Sequence, residues 1–424
     1  MDDPKKRAAE LGKRLQEVRK TSGESLRKVE SRSNLNSGYL SQLENGKIIN
    51  PSPSVLERVA KGYNLRFEDL LTWMGYASGA QQLSPNQAVA LSTVSALGEP
   101  SDEELQALKA IIQVLQKNRS TFLTPSDLPL DDEARAGIRS YVGALLREAD
   151  ALGRRPTPLE DIQAAARLVL TGELTLDPRD RAKLLERFGG WVNHAWKRLQ
   201  GAFDYRTSEI WVMPDLHAMK RRFVVSHEIG HAILPAHKKT FAYIDDFTCL
   251  PPFARDLFER EANQAAAEIL FQNGSATEEF DSSAPSLDEI CFTSAKFGAS
   301  IVATARYVVE TSKRPIAVAL AHVNPHRGLG PTHVYTSRRF EAAFGWRTGQ
   351  APKDEIRTAL RGAHAGDQQS WIVKNRRREP TVVNIDMMNT GYAAMVLVIP
   401  KTRARALTRK LLPGVIGTVV TPSD

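Results

Sequence analysis

The sequence predicts a multidomain α+β protein, and three observations carry that expectation. A chain of 424 residues is too long for a single core. Its first 78 residues read as short amphipathic helices, whereas its last 110 or so alternate strands with helices. Between them lies one long apolar helix bearing two histidines four residues apart, His227 and His231. The expected units are an all-α domain at 1–78 and a linker at 79–130. A domain built around that helix at 131–280, a helical segment at 281–313 and an α+β module at 314–424 follow.

Composition narrows the class. Hydrophobic residues make up 42% and charged residues 25%, the proportions of a soluble globular protein. No stretch approaches the roughly 20 apolar residues of a membrane span. The opening Met1-Asp2-Asp3-Pro4-Lys5-Lys6 lacks the layout of a secretory signal. With only Cys249 and Cys291, in no C-x-x-C pair, a disulfide framework is not expected and a reducing cytoplasm fits. The net charge of +8 and pI near 9.4 suit an acidic partner. From Pro331 to Asp424 there are 15 Lys+Arg against 7 Asp+Glu, a surplus equal to that of the whole chain.

The first expected helix covers Arg7 to Lys20, with Leu11, Leu15 and Val18 on one face. Ser25 caps a short helix from Leu26 to Ser31. After a turn at Ser33-Asn34-Leu35-Asn36 comes Ser37-Gly38-Tyr39-Leu40-Ser41-Gln42-Leu43-Glu44-Asn45-Gly46-Lys47. Helices at Ser54 to Tyr63 and Phe67 to Trp73 close the bundle. Two helices joined by a tight turn, the second polar outside and ending in Asn-Gly, suit a helix-turn-helix. On Tyr39 to Lys47, with Asn50-Pro51-Ser52 after it, the stretch resembles the repressor-type (XRE) helix-turn-helix family that includes lambdoid phage repressors. The resemblance implies a double-stranded DNA operator, read by a homodimer on a two-fold site. It places Ser37, Gly38, Tyr39, Ser41 and Gln42 against base edges, Gln42 suiting a bidentate contact with adenine. Asn45, Lys47 and Arg14 would hold phosphates. The competing reading is a helical bundle that binds protein.

From Gly79 to Asp131 the composition shifts towards Ser, Pro, Gln and Gly. Ser101-Asp102-Glu103-Glu104 forms a capping box that opens an amphipathic helix to about Gln116. Its stripe of Leu105, Leu108, Ile111, Ile112 and Leu115 needs a partner, a neighbouring domain or a second chain.

Helices are expected at Asp132 to Leu152, Pro158 to Leu170 and Trp191 to Leu199. Phe203-Asp204-Tyr205-Arg206 leads to a turn, and Glu209 to Met213 reads as a strand. Asp215 is the expected N-cap for the helix that carries His227-Glu228-Ile229-Gly230-His231 and that Pro235 ends. Histidines at i and i+4 project from one helical face and can close on a single Zn²⁺, with Mn²⁺ as the alternative. Buried among Phe223, Val224, Val225, Ile229, Ala232, Ile233 and Leu234, they are costly unless something satisfies them. A third ligand is expected from the Asp256 to Phe271 helix, where Glu259 and Glu261 are both available. Glu259 is the expected ligand, because it shares a face with Asn263, whose amide would orient a ligand, whereas Glu261 is rotated from it by about two hundred degrees.

His227 to His231, Glu259-Arg260-Glu261-Ala262-Asn263 and the later Phe297-Gly298-Ala299-Ser300 with Arg306 resemble the ImmA/IrrE metallopeptidases, over about Asp204 to Tyr307. Ala265 stands where that family often has Phe, and Ile269-Leu270-Phe271-Gln272 replaces a frequent Leu-Leu-Met-Pro. The resemblance implies a zincin-like metallopeptidase domain at 131–280, a zinc endopeptidase that cuts a helix-turn-helix repressor, in another chain or in itself, during a stress or DNA-damage response. In that chemistry the metal acidifies water and Glu228 shuttles its proton. An oxyanion stabiliser is sought among His217, His237, Tyr205, Tyr243 and His333.

Ser286 to Lys296 and Ala299 to Val309 form a second helix-turn-helix pattern with little positive charge, so packing explains it better than DNA contact. Strands are expected at Ile316 to Val323, Thr332 to Thr336, Ser370 to Val373, Thr381 to Ile385 and Ala394 to Ile399. Helices at Arg339 to Phe344 and Asp354 to His364 interrupt them. Radiation-response members of the family carry a GAF-like sensor at this place. Arg376-Arg377-Arg378, with Arg403, Arg405, Arg409 and Lys410 near Trp371, form either a solvated face or a site for single-stranded nucleic acid or another anionic signal. A DNA-binding regulator in the cytoplasm, close to the nucleoid, is the resulting expectation. The alternative from another class is a transcription factor whose metallopeptidase-like domain is a non-catalytic sensing scaffold.

Overall fold

The computed structural model describes residues 4–76, 91–94, 130–173, 178–190, 192–193, 199–205, 207–243, 252–324, 328–346, 356, 360, 367–401 and 419–420. The chain divides into two compact units, Met1–Asn273 and Gly274–Asp424.

The first unit opens with α1 (Pro4–Thr21), α2 (Leu26–Ser33), α3 (Ser37–Glu44), α4 (Pro53–Tyr63) and α5 (Phe67–Trp73). Local chemistry sets their ends. Ser25 caps α2 by accepting from the Lys28 N–H, and Asn36 caps α3 by accepting from the Tyr39 N–H. Asn34 and Asn64 take left-handed backbone after α2 and α4, a conformation Asn tolerates. Gly12 lets α1 cross the end of α3, since a Cβ there would lie 2.4 Å from the Glu44 carbonyl oxygen. The Glu44 carboxylate, buried at this crossing, is held by Arg19 at 2.6 and 2.7 Å and by the Tyr63 hydroxyl at 2.8 Å.

After β1 (Leu91–Val94) come α6 (Asp132–Glu148), α7 (Leu159–Ala165), β2 (Val169–Glu173), α8 (Pro178–Phe188), β3 (Leu199–Asp204) and β4 (Glu209–Val212). Several expectations are corrected here. The helix expected from Pro158 to Leu170 stops at Ala165, because Arg167 turns left-handed and Val169 enters a strand. The one expected to Leu152 ends at Glu148. Leu199, expected to end a helix, starts β3, and Phe203 and Asp204 are strand residues rather than the approach to a turn. Backbone pairing decides these short segments. The sheet order is β1-β3-β4-β2, with β3 antiparallel to both its neighbours and β2 parallel to β4. The strand at Leu91–Val94, within the expected linker, was not foreseen.

Three helices complete the unit: α9 (Ala218–Ile233), α10 (Pro235–Tyr243) and α11 (Pro252–Leu270). The residue preceding α9 is His217, not Asp215, and it offers no side-chain cap. A single hydrophobic core runs from Leu11 of α1 to Leu270 of α11. The helix-turn-helix bundle and the histidine-bearing helices thus share one interior. Tyr76, fully buried just after α5, meets the Phe253 ring of α11 edge-on at 5.4 Å.

The second unit holds α12 (Ser275–Ser282), α13 (Leu287–Phe297), α14 (Ile301–Thr311), β5 (Ala317–Asn324), β6 (Gly328–Thr336), α15 (Arg338–Phe344), β7 (Asp367–Lys374), β8 (Pro380–Asn389), β9 (Ala393–Pro400) and β10 (Val419–Val420). Ser286, Ser300 and Ser337 cap α13, α14 and α15. The sheet order is β10-β7-β8-β9-β5-β6, antiparallel except where β10 joins β7. Trp371 is buried in the core of this sheet. Arg376, Arg377 and Arg378 occupy the exposed turn between β7 and β8. The helix expected at 101–116, Cys249, and Arg403, Arg405, Arg409 and Lys410 lie outside the described residues. Of the helix expected at 354–364, Ile356 and Leu360 are described, both helical and buried. Among the described residues no helix is long and apolar enough to cross a membrane.

Candidate metal centre and nucleic-acid interface

His227 and His231 sit one turn apart on α9, within a continuous buried run from Val224 to His231. Helix α11 crosses directly beside them. Gly230 makes the approach: a Cβ there would meet the Ala262 carbonyl oxygen at 2.9 Å and the Ala265 methyl at 3.0 Å. The close crossing brings the Glu259 carboxylate to 3.3 Å from His227 Nε2 and 3.6 Å from His231 Nε2. The two Nε2 atoms are 2.9 Å apart. All three side chains are at most 1% exposed.

The surrounding hydrogen bonds orient both rings. His227 Nδ1 lies 3.0 Å from Asn263 Oδ1, an acceptor, so Nδ1 carries the proton and the Nε2 lone pair faces His231 and Glu259. His231 Nδ1 lies 2.9 Å from His237 Nδ1, and His237 Nε2 lies 2.9 Å from the Glu261 carboxylate. With Glu261 accepting from His237 Nε2, His237 Nδ1 accepts from His231 Nδ1, and the His231 Nε2 lone pair also faces inward. Two lone pairs and a carboxylate converging in a buried space make a cation-binding donor set, and these three side chains are the His/Glu group able to hold a metal ion among the described residues. Two nitrogens and a carboxylate suit Zn²⁺.

Glu261 points away from this set and towards His237. Neither Glu259 nor Glu261 belongs to a solvated acidic face, as both are fully buried. Glu228, also fully buried, rests over β3, where a Cβ on Gly201 would meet its Oε1 at 3.0 Å. Tyr205 follows β3, stacked on Phe241 at 5.1 Å, and its hydroxyl lies 3.3 Å from the His231 carbonyl oxygen. Burial first, then the Glu228 and Glu259 charges, hold its phenol well above the usual tyrosine range, so it stays a donor. Of the other oxyanion candidates, His237 is committed to His231 and Glu261. His217 precedes α9 on the surface, and His333 lies on β6 of the second unit. The Tyr243 side chain is outside the described residues.

Burial holds the His227 and His231 imidazoles well below the usual histidine range. In the unfolded chain they protonate below about pH 6.5, whereas in the fold they resist it. Their contribution to stability is therefore complete above that pH and is lost as pH falls below it. For the metal-free protein we expect each ring to remove about 1 kcal/mol per pH unit on acidification. Urea unfolding at steps from about pH 7 to about pH 5 measures this slope; a midpoint that stays constant would contradict it.

On the helix-turn-helix, Gly38, Gln42, Asn45 and Lys47 are exposed along α3 and its end, with Ser37 and Ser41 half-buried. Asn45 Nδ2 donates to the Ser41 carbonyl at 2.7 Å. Arg14 pairs with Glu10 and lies over the Trp73 ring at 5.1 Å. Tyr39 is placed otherwise. It is 8% exposed and its hydroxyl donates to Asp131 at 2.7 Å. Asn36 bonds Glu133, and Arg58 bridges Glu133 at 3.2 Å, so the acidic start of α6 is docked on the start of α3. Asp131, Asp132 and Glu133 line a cleft with Tyr39 and Gln42.

Sequence reasoning missed the partnership of His237 with His231. The two are six residues apart across the break at Leu234, where helical spacing gives no guide. The family model for a helix-turn-helix domain matches residues 10–74, and that for an IrrE N-terminal-like domain matches residues 186–308. Among solved structures, a chain described as a Mycobacterium tuberculosis transcriptional regulator aligns with a TM-score of 0.37 at 11% identity. It covers 71% of this chain and 81% of that one, a likeness too slight to argue from. No curated protein matches the chain.

Proposed function

We propose that this chain, which joins a helix-turn-helix domain to an IrrE-like domain, is a DNA-binding regulator whose second domain is a zinc-dependent endopeptidase. The observation that carries the reading is the buried convergence of His227, His231 and Glu259 with Glu228 beside them. A Zn²⁺ held by those three side chains would supply Lewis acidity, polarising a scissile carbonyl and acidifying water. Glu228 takes the proton of the attacking water and hands it to the departing amine. Asn263 holds His227 in the tautomer that presents Nε2. The Tyr205 hydroxyl, which donates to the His231 carbonyl oxygen, would serve as oxyanion donor only by leaving that carbonyl.

The substrate is a repressor, in trans or in this same chain. One contact favours the chain itself. Extended peptides bind such folds by adding a strand to an exposed sheet edge. The edge of β3, the strand over which Glu228 rests, is taken by the chain's own β1, antiparallel, with Leu91 opposite Phe203. Cleavage near this segment would part the DNA-reading domain from the rest and relieve silencing. Purified protein incubated with Zn²⁺, alone and with a helix-turn-helix repressor, tests the reading by mass spectrometry. Chains left intact in every mixture would rule out an endopeptidase.

For the first domain we propose a homodimer on a two-fold DNA operator, in the cytoplasm, with a stress signal such as DNA damage as the trigger. Gln42, exposed on α3, is the base-reading residue, and Lys47 and Arg14 hold phosphates. Replacing Gln42 by Ala should weaken binding to the genomic fragments the wild type selects by about 10- to 100-fold. Its affinity for unrelated DNA should stay the same. Equal loss on both kinds of DNA in a mobility-shift titration would show that Gln42 reads no base.

A further inference from the structure

We infer that Ser54, Glu261 and His237 are positioning residues for the candidate metal ligand His231, and that through them the DNA-reading domain is coupled to the metal centre. The inference rests on the metal-binding part of the proposed function and not on peptide cleavage.

The contacts form one unbroken, buried chain. Ser54 is the second residue of α4 in the helix-turn-helix bundle. Its backbone N–H donates to Glu261 Oε1 at 2.9 Å, and its hydroxyl donates to Glu261 Oε2 at 2.8 Å. The same Oε2 receives His237 Nε2 at 2.9 Å, and His237 Nδ1 faces His231 Nδ1 at 2.9 Å. Ser54 is 3% exposed, Glu261 and His237 are 0%, and His231 is 1%. Helix α4 receives no side-chain cap from Ser52. Glu261 answers that need from another domain, placing a carboxylate at the positive end of α4.

Every donor and acceptor in this chain has one consistent direction. Two Ser54 protons fix the Glu261 carboxylate, which fixes the His237 tautomer, which in turn fixes the proton of His231 on Nδ1. Only then does His231 Nε2 offer its lone pair to a metal. A shift of α4 that withdraws Ser54 leaves a buried carboxylate short of two donors and frees His237 to turn. Because α4 shares its core with α11, any displacement of α4 reaches the metal centre through these bonds. Linkage makes the effect reciprocal, so metal uptake must tighten the seat of α4.

The test uses the full-length chain, with Zn²⁺ and Co²⁺ as probes and chelator competition as the measure. E261Q should lower Zn²⁺ affinity by about 10- to 100-fold. S54A, which removes one hydrogen bond and no charge, should lower it by about two- to tenfold. The Co²⁺ absorption bands should shift in both. K239A is the control: Lys239 of α10 bonds Glu57 of α4 at 2.8 Å, another contact onto α4 that lies outside the chain of bonds. It should leave the affinity unchanged. Zn²⁺ should also slow amide exchange at the start of α4 in the wild type but not in H237F, which cuts the connection midway. If E261Q does not fold, S54A against K239A decides. Wild-type affinity in both E261Q and S54A, or an equal loss in K239A, would overturn the inference while leaving metal binding in place. A wild type that takes up no Zn²⁺ would overturn both.

Discussion

Replacing Glu228 by Gln is expected to lower peptide cleavage by about 10²- to 10⁴-fold while leaving Zn²⁺ uptake at its wild-type level. The two effects separate because Glu228 is not one of the three converging ligands. His227, His231 and Glu259 keep their places in the variant, and the amide matches the carboxylate in shape. What Gln lacks is the ability to accept a proton from water and return it to the leaving amine. Retained cleavage would remove Glu228 from the chemistry. The same variant separates the two classes of function. If the metallopeptidase-like domain is only a sensing scaffold, E228Q leaves regulation intact; if cleavage is the switch, the regulated promoter stays silent under stress. A reporter assay beside the in vitro digestion reads both.

Gly230 is expected to be as intolerant of change, for a steric reason. Substituting Val would press a side chain against the Ala262 carbonyl oxygen and the Ala265 methyl, 2.9 and 3.0 Å from where its Cβ would stand. Both neighbours belong to the interior of α11, and helix backbone yields little. The crossing of α9 and α11 must widen, costing about 1–3 kcal/mol of stability. Because Glu259 rides on α11 and the two histidines on α9, the same widening pulls the third ligand from the other two. Zn²⁺ affinity should fall by about 10- to 100-fold, as for other losses of ligand orientation. Thermal unfolding and chelator competition on G230V check the two halves. A variant that loses stability yet keeps its affinity would mean that α9 and α11 can adjust without moving Glu259.

Much of the first domain was legible because its signals are local. Ser25 and Asn36 cap their helices through side chains that reach only three residues ahead, and apolar spacing along α1 to α5 gives each buried face. The short strands were less so. Leu199 and Val169 become strand residues through pairing with segments distant in sequence, and Leu91–Val94 pairs with β3, over a hundred residues later. The same division holds in the candidate centre. The four-residue spacing of His227 and His231, and of Glu259 and Asn263, puts each pair on one helical face through local geometry alone.

By itself the sequence determined which side chains share a helical face, since helical periodicity is a property of neighbours along the chain. Only the tertiary structure decided what they face. Glu259 and Glu261 are two residues apart on one helix, so they leave it in opposed directions: one towards the histidine pair, the other towards His237 and the first turn of α4. Spacing with Asn263 favours Glu259 for the histidine side, but no rule of spacing sends Glu261 to α4 or fixes the final destinations. They follow from a glycine that lets two helices touch and from a shared core that seats the DNA-reading bundle beside them. Tyr39 teaches the same lesson, for the motif sets its place on α3, while Asp131, over ninety residues later, decides where its hydroxyl bonds.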